Sequence, residues 1–444
     1  MKIKRFFCTV LCLILLISPT EALAKSYTSS GSQIVSVTTP TEETPLKWSR
    51  KFSENYKNAP STQTVVEDTL IVMSGKTLYK LNAETGETLK AAEMADVPSF
   101  GYTSPLYADG VVYCPLDNAK IQAFNYKTMK SMWVYTDSLG GQSLTPITYD
   151  DGCIYTGFWN DETLAANYVC INVKDEKPRE THEAKSAVWT YKNVGGFYWA
   201  GCAFFGNNVI FGCDDGTVYS NKPSKAVSVN KRSGRVTDTI SIVGDQRSSM
   251  TAYSGRVYFT TKAGLLYSVK INSDGTFDKA SLKTLSLGGA STSTPVIYNG
   301  RLYVGVQGTG FGTGFLKVID SEKLTVIYSA QTKGYPQGML LLSDAYFAET
   351  GKVKLYLTYN AAPGGITAFS DGAGQTKAES REIFTPTGEM SNYCISSVVC
   401  DENGTLFYKN DSGFVFALGE KTEKPSFFLR IINAIVNFFK RLFG

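Results

Sequence analysis

The sequence predicts an all-β protein: an eight-bladed β-propeller of four-stranded blades, closed by an N-terminal strand and followed by a C-terminal amphipathic helix. Three observations carry this. A phrase of two short β runs, a turn and an apolar-aromatic strand ending in Asn or Asp returns about every 40–50 residues. Its turns hold residue pairs that tolerate positive φ. An outer-strand phrase, Leu46 to Phe52, stands at the start with no blade before it.

The fullest copy of the repeat runs from Thr294 to Gly305, through Val296-Ile297-Tyr298-Asn299-Gly300-Arg301-Leu302-Tyr303, and is followed by Leu316-Lys317-Val318-Ile319-Asp320. It recurs at Ser104 to Tyr113, followed by Ile121-Gln122-Ala123-Phe124-Asn125 and then Trp133. Strands of this length cannot bury both faces alone. Stacked units solve the problem, and a ring of them leaves no open edge. Units trace at 62–90, 103–137, 144–192, 198–242, 248–287, 293–331, 337–385 and 394–420.

Asp109-Gly110, Asp151-Gly152, Asn207-Asn208, Asn299-Gly300 and Asn403-Gly404 sit between alternating apolar runs and mark the first hairpin of their blades. Third strands read Leu78 to Asn82, Tyr168 to Asn172, Ala226 to Asn230 and Phe414 to Leu418, apolar at alternate positions as a strand packed between two blades requires. Trp133, Trp189 and Tyr328 mark outer strands. The last unit lacks an outer strand of its own, so the Leu46–Phe52 phrase is expected to complete it.

The flanks read differently. Lys2, Lys4 and Arg5 precede an apolar stretch from Phe6 to Ile17 and a small-x-small site at Ala22-Leu23-Ala24, so residues 1–24 are expected to be a cleaved signal peptide. The stretch is shorter than the roughly 20 residues that span a bilayer. Residues 25–45, rich in Ser and Thr, are expected to form an exposed linker ahead of a 46–420 propeller. Beyond a charged linker at 421–425, residues 426–444 are expected to form an amphipathic helix. Arg430, Asn433, Asn437, Lys440 and Arg441 share one face, and Phe427, Phe428, Ile431, Ile435, Phe438, Phe439 and Leu442 fill the apolar arc. Such a helix is suited to a membrane surface or a partner protein.

The net charge is +4, with both signs interspersed, which argues against a nucleic-acid partner. Seven cysteines follow the leader, with no CxxC and no metal-ligand spacing; no metal site is expected. Cys153 and Cys170 are the pair that neighbouring strands would bring face to face. The single histidine, His182, lies in a charged excursion from Asp175 to Lys185, without the shielding that a general base needs. Gly308 to Gly314 is glycine-rich but joins two antiparallel strands and opens no helix, so it is read as a hairpin loop and not a phosphate cradle. No spacing singles out a pair of carboxylates, and no catalytic residue is assigned.

Aligning the blades on their first strands places Tyr102, Ser143, Trp199, Arg247 and Thr292 at a matched position on the rim of the channel, with Gly101, Gln142, Tyr198, Gln246 and Ser291 before them and Tyr335, Gln337, Asn392 and Tyr393 as the nearest equivalents in the two late blades. An aromatic, amide and hydroxyl ring of this kind suits recognition of a small ligand, sugar or peptide. The same residues equally suit plugging the channel and satisfying strand ends.

The units resemble the PQQ-like, quinoprotein dehydrogenase-type propeller repeat, carried best by Leu78-Tyr79-Lys80-Leu81-Asn82-Ala83-Glu84-Thr85-Gly86 and by Ile121 to Trp133. Two functional branches share that fold: dehydrogenases that use pyrroloquinoline quinone, and scaffolds similar to the BamB-type outer-membrane assembly factor. The whole chain is similar to exported PQQ-like repeat proteins of Gram-positive anaerobes. A dehydrogenase of this kind would carry adjacent cysteines, a metal site of carboxylate and amide oxygens, and an aspartate base. No adjacent cysteine pair is present. The resulting expectation is a non-catalytic, secreted binding module on the extracellular face of the cell envelope, needing no cofactor and meeting an envelope protein or glycan. The alternatives are an oxidoreductase with PQQ and Ca²⁺ in the central channel, and a carbohydrate-binding or degrading surface protein.

Overall fold

The computed structural model describes residues 26–27 and 33–420, apart from 55 and 100–102. The tail residues Phe427, Phe428, Ile431, Ile435, Phe438, Phe439 and Leu442, and the leader, lie outside the described residues. Among the described residues no helix is long and apolar enough to cross a membrane.

Eight antiparallel sheets form eight blades. From the channel outwards, blade 1 is Thr64–Val66, Thr69–Ser74, Thr77–Asn82 and Thr88–Glu93; blade 2 is Leu106–Ala108, Val111–Leu116, Lys120–Asn125 and Ser131–Thr136. Blade 3 is Thr148–Asp150, Cys153–Gly157, Ala165–Asn172 and Trp189–Val194; blade 4 is Ala203–Phe205, Asn208–Gly212, Pro223–Asn230 and Val236–Val243. Blade 5 is Thr251–Tyr253, Arg256–Thr261, Leu265–Ile271 and Phe277–Ser286; blade 6 is Val296–Tyr298, Arg301–Gly308, Gly310–Asp320 and Thr325–Thr332. Blade 7 is Leu341–Ser343, Lys352–Thr358, Ile366–Gly372 and Glu379–Phe384; blade 8 takes Val399–Cys400, Leu406–Lys409 and Phe414–Leu418 from the chain's end and Leu46–Lys51 from its start. Leu46 pairs with Leu418 and Lys51 with Phe414, which closes the ring as the orphan strand phrase predicts.

Alternation along the strands builds the core. In blade 1, Val65, Leu70 and Val72 pack against blade 8, whereas Val66, Ile71 and Met73 pack against blade 2. The same division gives eight buried apolar clusters, one at each junction between neighbouring blades. No single central core exists. Stability is distributed over eight similar seams, as in other repeat architectures.

In blades 1, 4 and 6 the Asn or Asp that ends the third strand makes the turn that follows. Asn82 Oδ1 accepts from the Glu84 and Thr85 amides, Asn230 Oδ1 from those of Arg232 and Ser233, and Asp320 Oδ1 from those of Glu322 and Lys323. The outer-strand tryptophans then lock onto the next blade's turn: the Trp48 indole donates to the Ala83 carbonyl, Trp133 to Val173 and Trp189 to Lys231. Gly86 and Gly234 lie beneath two of these rings, where a Cβ would stand 2.8 Å from Trp48 and 2.5 Å from Trp189. Their φ values of 72° and 69° add a second reason for glycine.

Four expectations need correction. The segment read as an exposed linker is packed from residue 33 onward. Gln33, Val35 and Thr39 are buried, and Ile34–Val35 pairs in parallel with the inner strand of blade 7. Its hydroxyls and carbonyls bond into the propeller: Thr39 Oγ1 lies 2.7 Å from Tyr356 Oη, which donates to the Pro40 carbonyl, and Ser343 donates to the Val37 carbonyl. The Ser/Thr composition that suggests solvent here supplies bonds to protein. Second, the Asp175–Lys185 excursion is not wholly solvated, because Glu183–Lys185 adds in parallel to the outer strand of blade 2. His182 itself is exposed. Third, the Asn207-Asn208 turn sits one residue earlier; Gly206 takes the positive φ and Asn208 already belongs to the strand. The glycine-rich run does join antiparallel strands, but it is not a loop: Gly308 ends one strand, Gly310 to Gly314 opens the next, and only Thr309 lies between them.

Candidate functional site

The segment that leads into each inner strand lines the channel. Pro146, Trp199, Ser249, Thr292, Gln337 and Ser397, from six successive blades, surround a cavity of about 70 Å³. Trp199 holds φ at 58°, a left-handed conformation that a bulky residue rarely adopts.

The aligned rim residues divide into two groups. Ser143 and Ser291 are buried and donate to the carbonyls of Lys120 and Gly305, while Tyr335 is buried and its hydroxyl accepts from the Thr292 amide at 2.8 Å. Gln142 exchanges backbone bonds with Trp159, and the Gln337 amide oxygen accepts from Asn360. These side chains and strand ends satisfy one another. Tyr102 lies outside the described residues.

Tyr198, Trp199 and Arg247 come together. The Arg247 guanidinium lies 4.6 Å from the centre of the Tyr198 ring, and that ring meets Trp159 and Trp199 edge to face. Three carboxylates converge on the same guanidinium from three loops. Arg247 Nε donates to Asp214 Oδ2 at 2.9 Å, and Nη2 lies 2.8 Å from Asp214 Oδ2, 3.1 Å from Asp245 Oδ2 and in contact with Glu162 Oε2. The sequence offers no fixed spacing for this trio. Asp245 alone shares Arg247's segment, two residues before it, and is the one signal that composition hides.

The electrostatics are unbalanced. The Arg247, Asp214 and Asp245 side chains are almost wholly buried, and Glu162 is partly exposed. Burial works against the Arg247 charge, but the carboxylates outweigh it and hold it above its usual value. Burial pushes the Asp214 carboxyl well above the carboxylate range; Arg247 pulls it back and Asp245 adds to the rise. Asp214 Oδ1 has no hydrogen-bond partner. Burial also lowers the Lys262 ammonium and pushes the Tyr198 phenol up to about 12, so the tyrosine stays neutral. Carboxylate oxygens of Glu162, Asp214 and Asp245 all lie within 4.8 Å of one another, the donor set of a hard cation, with the Arg247 guanidinium among them.

Residues 31–158, less than a third of the chain, match the family model described as outer membrane protein assembly factor BamB. No curated protein matches the sequence. BamB from Moraxella catarrhalis superposes with a TM-score of 0.53 at 11% identity, over 85% of this chain and 100% of that one. The quinohemoprotein alcohol dehydrogenase from Comamonas testosteroni gives 0.61 at 12%, over 87% and 78%. A europium-containing methanol dehydrogenase gives 0.62 at 8%, over 85% and 87%. At such identities the likeness speaks for architecture alone, and it agrees with the blade count and strand order: the chain has the fold of a PQQ-like, eight-bladed β-propeller.

Proposed function

We propose that this protein is a non-catalytic binding propeller of the cell envelope, exported by its leader and working through partners that dock on its surface. The observation that supports this most is the state of the channel. A cavity of about 70 Å³ holds a few water molecules, whereas pockets for small organic ligands run to roughly 300–1,000 Å³. The Ser143 and Ser291 hydroxyls are spent on neighbouring backbone, and those of Thr292 and Tyr335 lie against each other.

The oxidoreductase reading draws on one specific observation, the convergence of Glu162, Asp214 and Asp245 on Arg247. The described residues fit a quinone and its metal poorly. Arg247 stands among the three carboxylates where a cation would have to bind, no adjacent cysteines are present, and the cavity has no room for a fused tricyclic ring. No catalytic step is therefore derived through that group.

The test is titration of the full chain with pyrroloquinoline quinone and Ca²⁺ by calorimetry, with Arg247→Ala and Trp199→Ala alongside. The binding-module reading expects no saturable heat from folded protein. Saturable binding that both variants lose would overturn it. Fractionation of the expressing cell is the companion measurement, and protein confined to the cytosol would remove the envelope role.

A further inference from the structure

We propose that Cys153 and Cys170 form a peroxide-responsive thiol pair, in which Cys153 reacts and Cys170 resolves the product into a reversible disulfide. The pair stands in blade 3, away from the channel. Strand register pairs Cys153 with Asn172 and Tyr155 with Cys170, so both sulfurs project from the same face, one diagonal step apart. That face packs against blade 4, and Tyr155 and Trp189 of blade 3 and Phe204 of blade 4 share the apolar cluster with the thiols.

The two thiols differ in access. Cys170 is fully buried; Cys153 is partly exposed and directly follows the Asp151-Gly152 turn. Interaction with the neighbouring Cys170 thiol brings the Cys153 thiol down to about 7, against the opposing effects of burial and of Asp151 and Asp150; Lys231, ion-paired to Asp150, assists. The other five described cysteines, Cys114, Cys202, Cys213, Cys394 and Cys400, are buried, and burial raises each of them. One accessible thiolate beside one sealed thiol is the arrangement that separates a redox-sensing cysteine from structural ones.

The chemistry balances with a hydroperoxide as the two-electron oxidant. The Cys153 thiolate attacks a peroxide oxygen, giving the sulfenic acid and releasing hydroxide. Cys170 then attacks the Cys153 sulfur; its proton and the sulfenic hydroxyl leave as water, and the S–S bond forms. Diagonal neighbours lie roughly 7–8 Å apart, wider than the usual disulfide span of about 4.4–6.8 Å between Cα atoms. The bridge must draw the strands together, so it is strained and readily reduced.

The experiment treats the reduced full chain with hydrogen peroxide, traps sulfenic acid with dimedone, and maps products by mass spectrometry after differential alkylation. Cys153 is expected to react roughly tenfold or more faster than the five sealed cysteines. The native chain should yield a Cys153–Cys170 linked peptide that dithiothreitol reverses, and Cys170→Ala should yield dimedone-trapped Cys153 in its place. Cys153→Ser, at the more exposed position, keeps the test valid if Cys170→Ala fails to fold, and in it Cys170 should be unreactive. Equal labelling of the seven cysteines that follow the leader, or peroxide-treated native chain without the linked peptide, overturns the proposal.

Discussion

Two arginines, the buried Arg247 at the channel and the partly buried Arg301 between blades 6 and 7, are treated in opposite ways by their surroundings. Asp371, fully buried, accepts Arg301 Nε at 2.6 Å and Nη2 at 2.8 Å, and the Tyr303 and Tyr328 hydroxyls at 2.8 and 2.7 Å. Each carboxylate oxygen has two donors, and the charges balance one to one. Arg247 faces three carboxylates, and Asp214 Oδ1 is left without a donor. A closed one-to-one network belongs to architecture. A buried site with surplus charge is held by the rest of the fold, and such local inconsistency is where function is sought.

The comparison can be broken by removing each cation. Arg247→Ala strands Asp214 and Asp245 and should cost about 3–5 kcal/mol, read from the urea midpoint. Arg301→Ala should cost less, about 2–3 kcal/mol, because the two tyrosine hydroxyls still serve Asp371. Equal losses would erase the distinction. Neutralising the acids tests it by sign: Asp371→Asn should destabilise by about 2 kcal/mol, whereas Asp214→Asn should leave stability unchanged or raise it at neutral pH.

Acidity sharpens the same point. Because the folded-state value of Asp214 is raised, its contribution is fully present below the carboxyl's unfolded value and is lost as pH rises through the folded one. The thermal midpoint of Asp214→Asn minus that of the native chain should therefore grow from acid to alkaline buffer; a constant difference would refute the assignment. The smallest contrast lies in the rings. Tyr328→Phe removes a donor to Asp371 and should cost about 1–2 kcal/mol, whereas Tyr198→Phe keeps the face over Arg247 and should shift the melting curve negligibly.

The propeller is legible in the chain because its blades repeat shared instructions: strands that alternate between two seams throughout, and in several blades an Asn that caps a turn or a Gly beneath an indole. Trp48 and its neighbours could be assigned to the last blade for the same reason. Tyr198, Trp199 and Arg247 were legible as a rim because the repeat puts them in register. Glu162, Asp214 and Asp245 were not. Glu162 and Asp214 come from the loops between the second and third strands of blades 3 and 4, and Asp245 from the segment that leads into blade 5, all among acids scattered through the sequence. The docking of the strap at 33–45 is not legible, because threonine and serine read as solvated until a tyrosine such as Tyr356 appears as their partner.

The closing strand also decides how the molecule carries a load. Leu46 lies opposite Leu418 at one end of the pair, so the chain enters and leaves blade 8 at the same point. Tension applied between these two residues meets the rungs one at a time, like a zipper. Tension on the N-terminal strand alone is passed sideways to blade 1, through the 2.7 Å Lys47–Glu84 ion pair, the Trp48 bond to Ala83 and the Arg50 bond to Gly86. A ring built this way gives way easily when pulled by both ends, and resists when held by one.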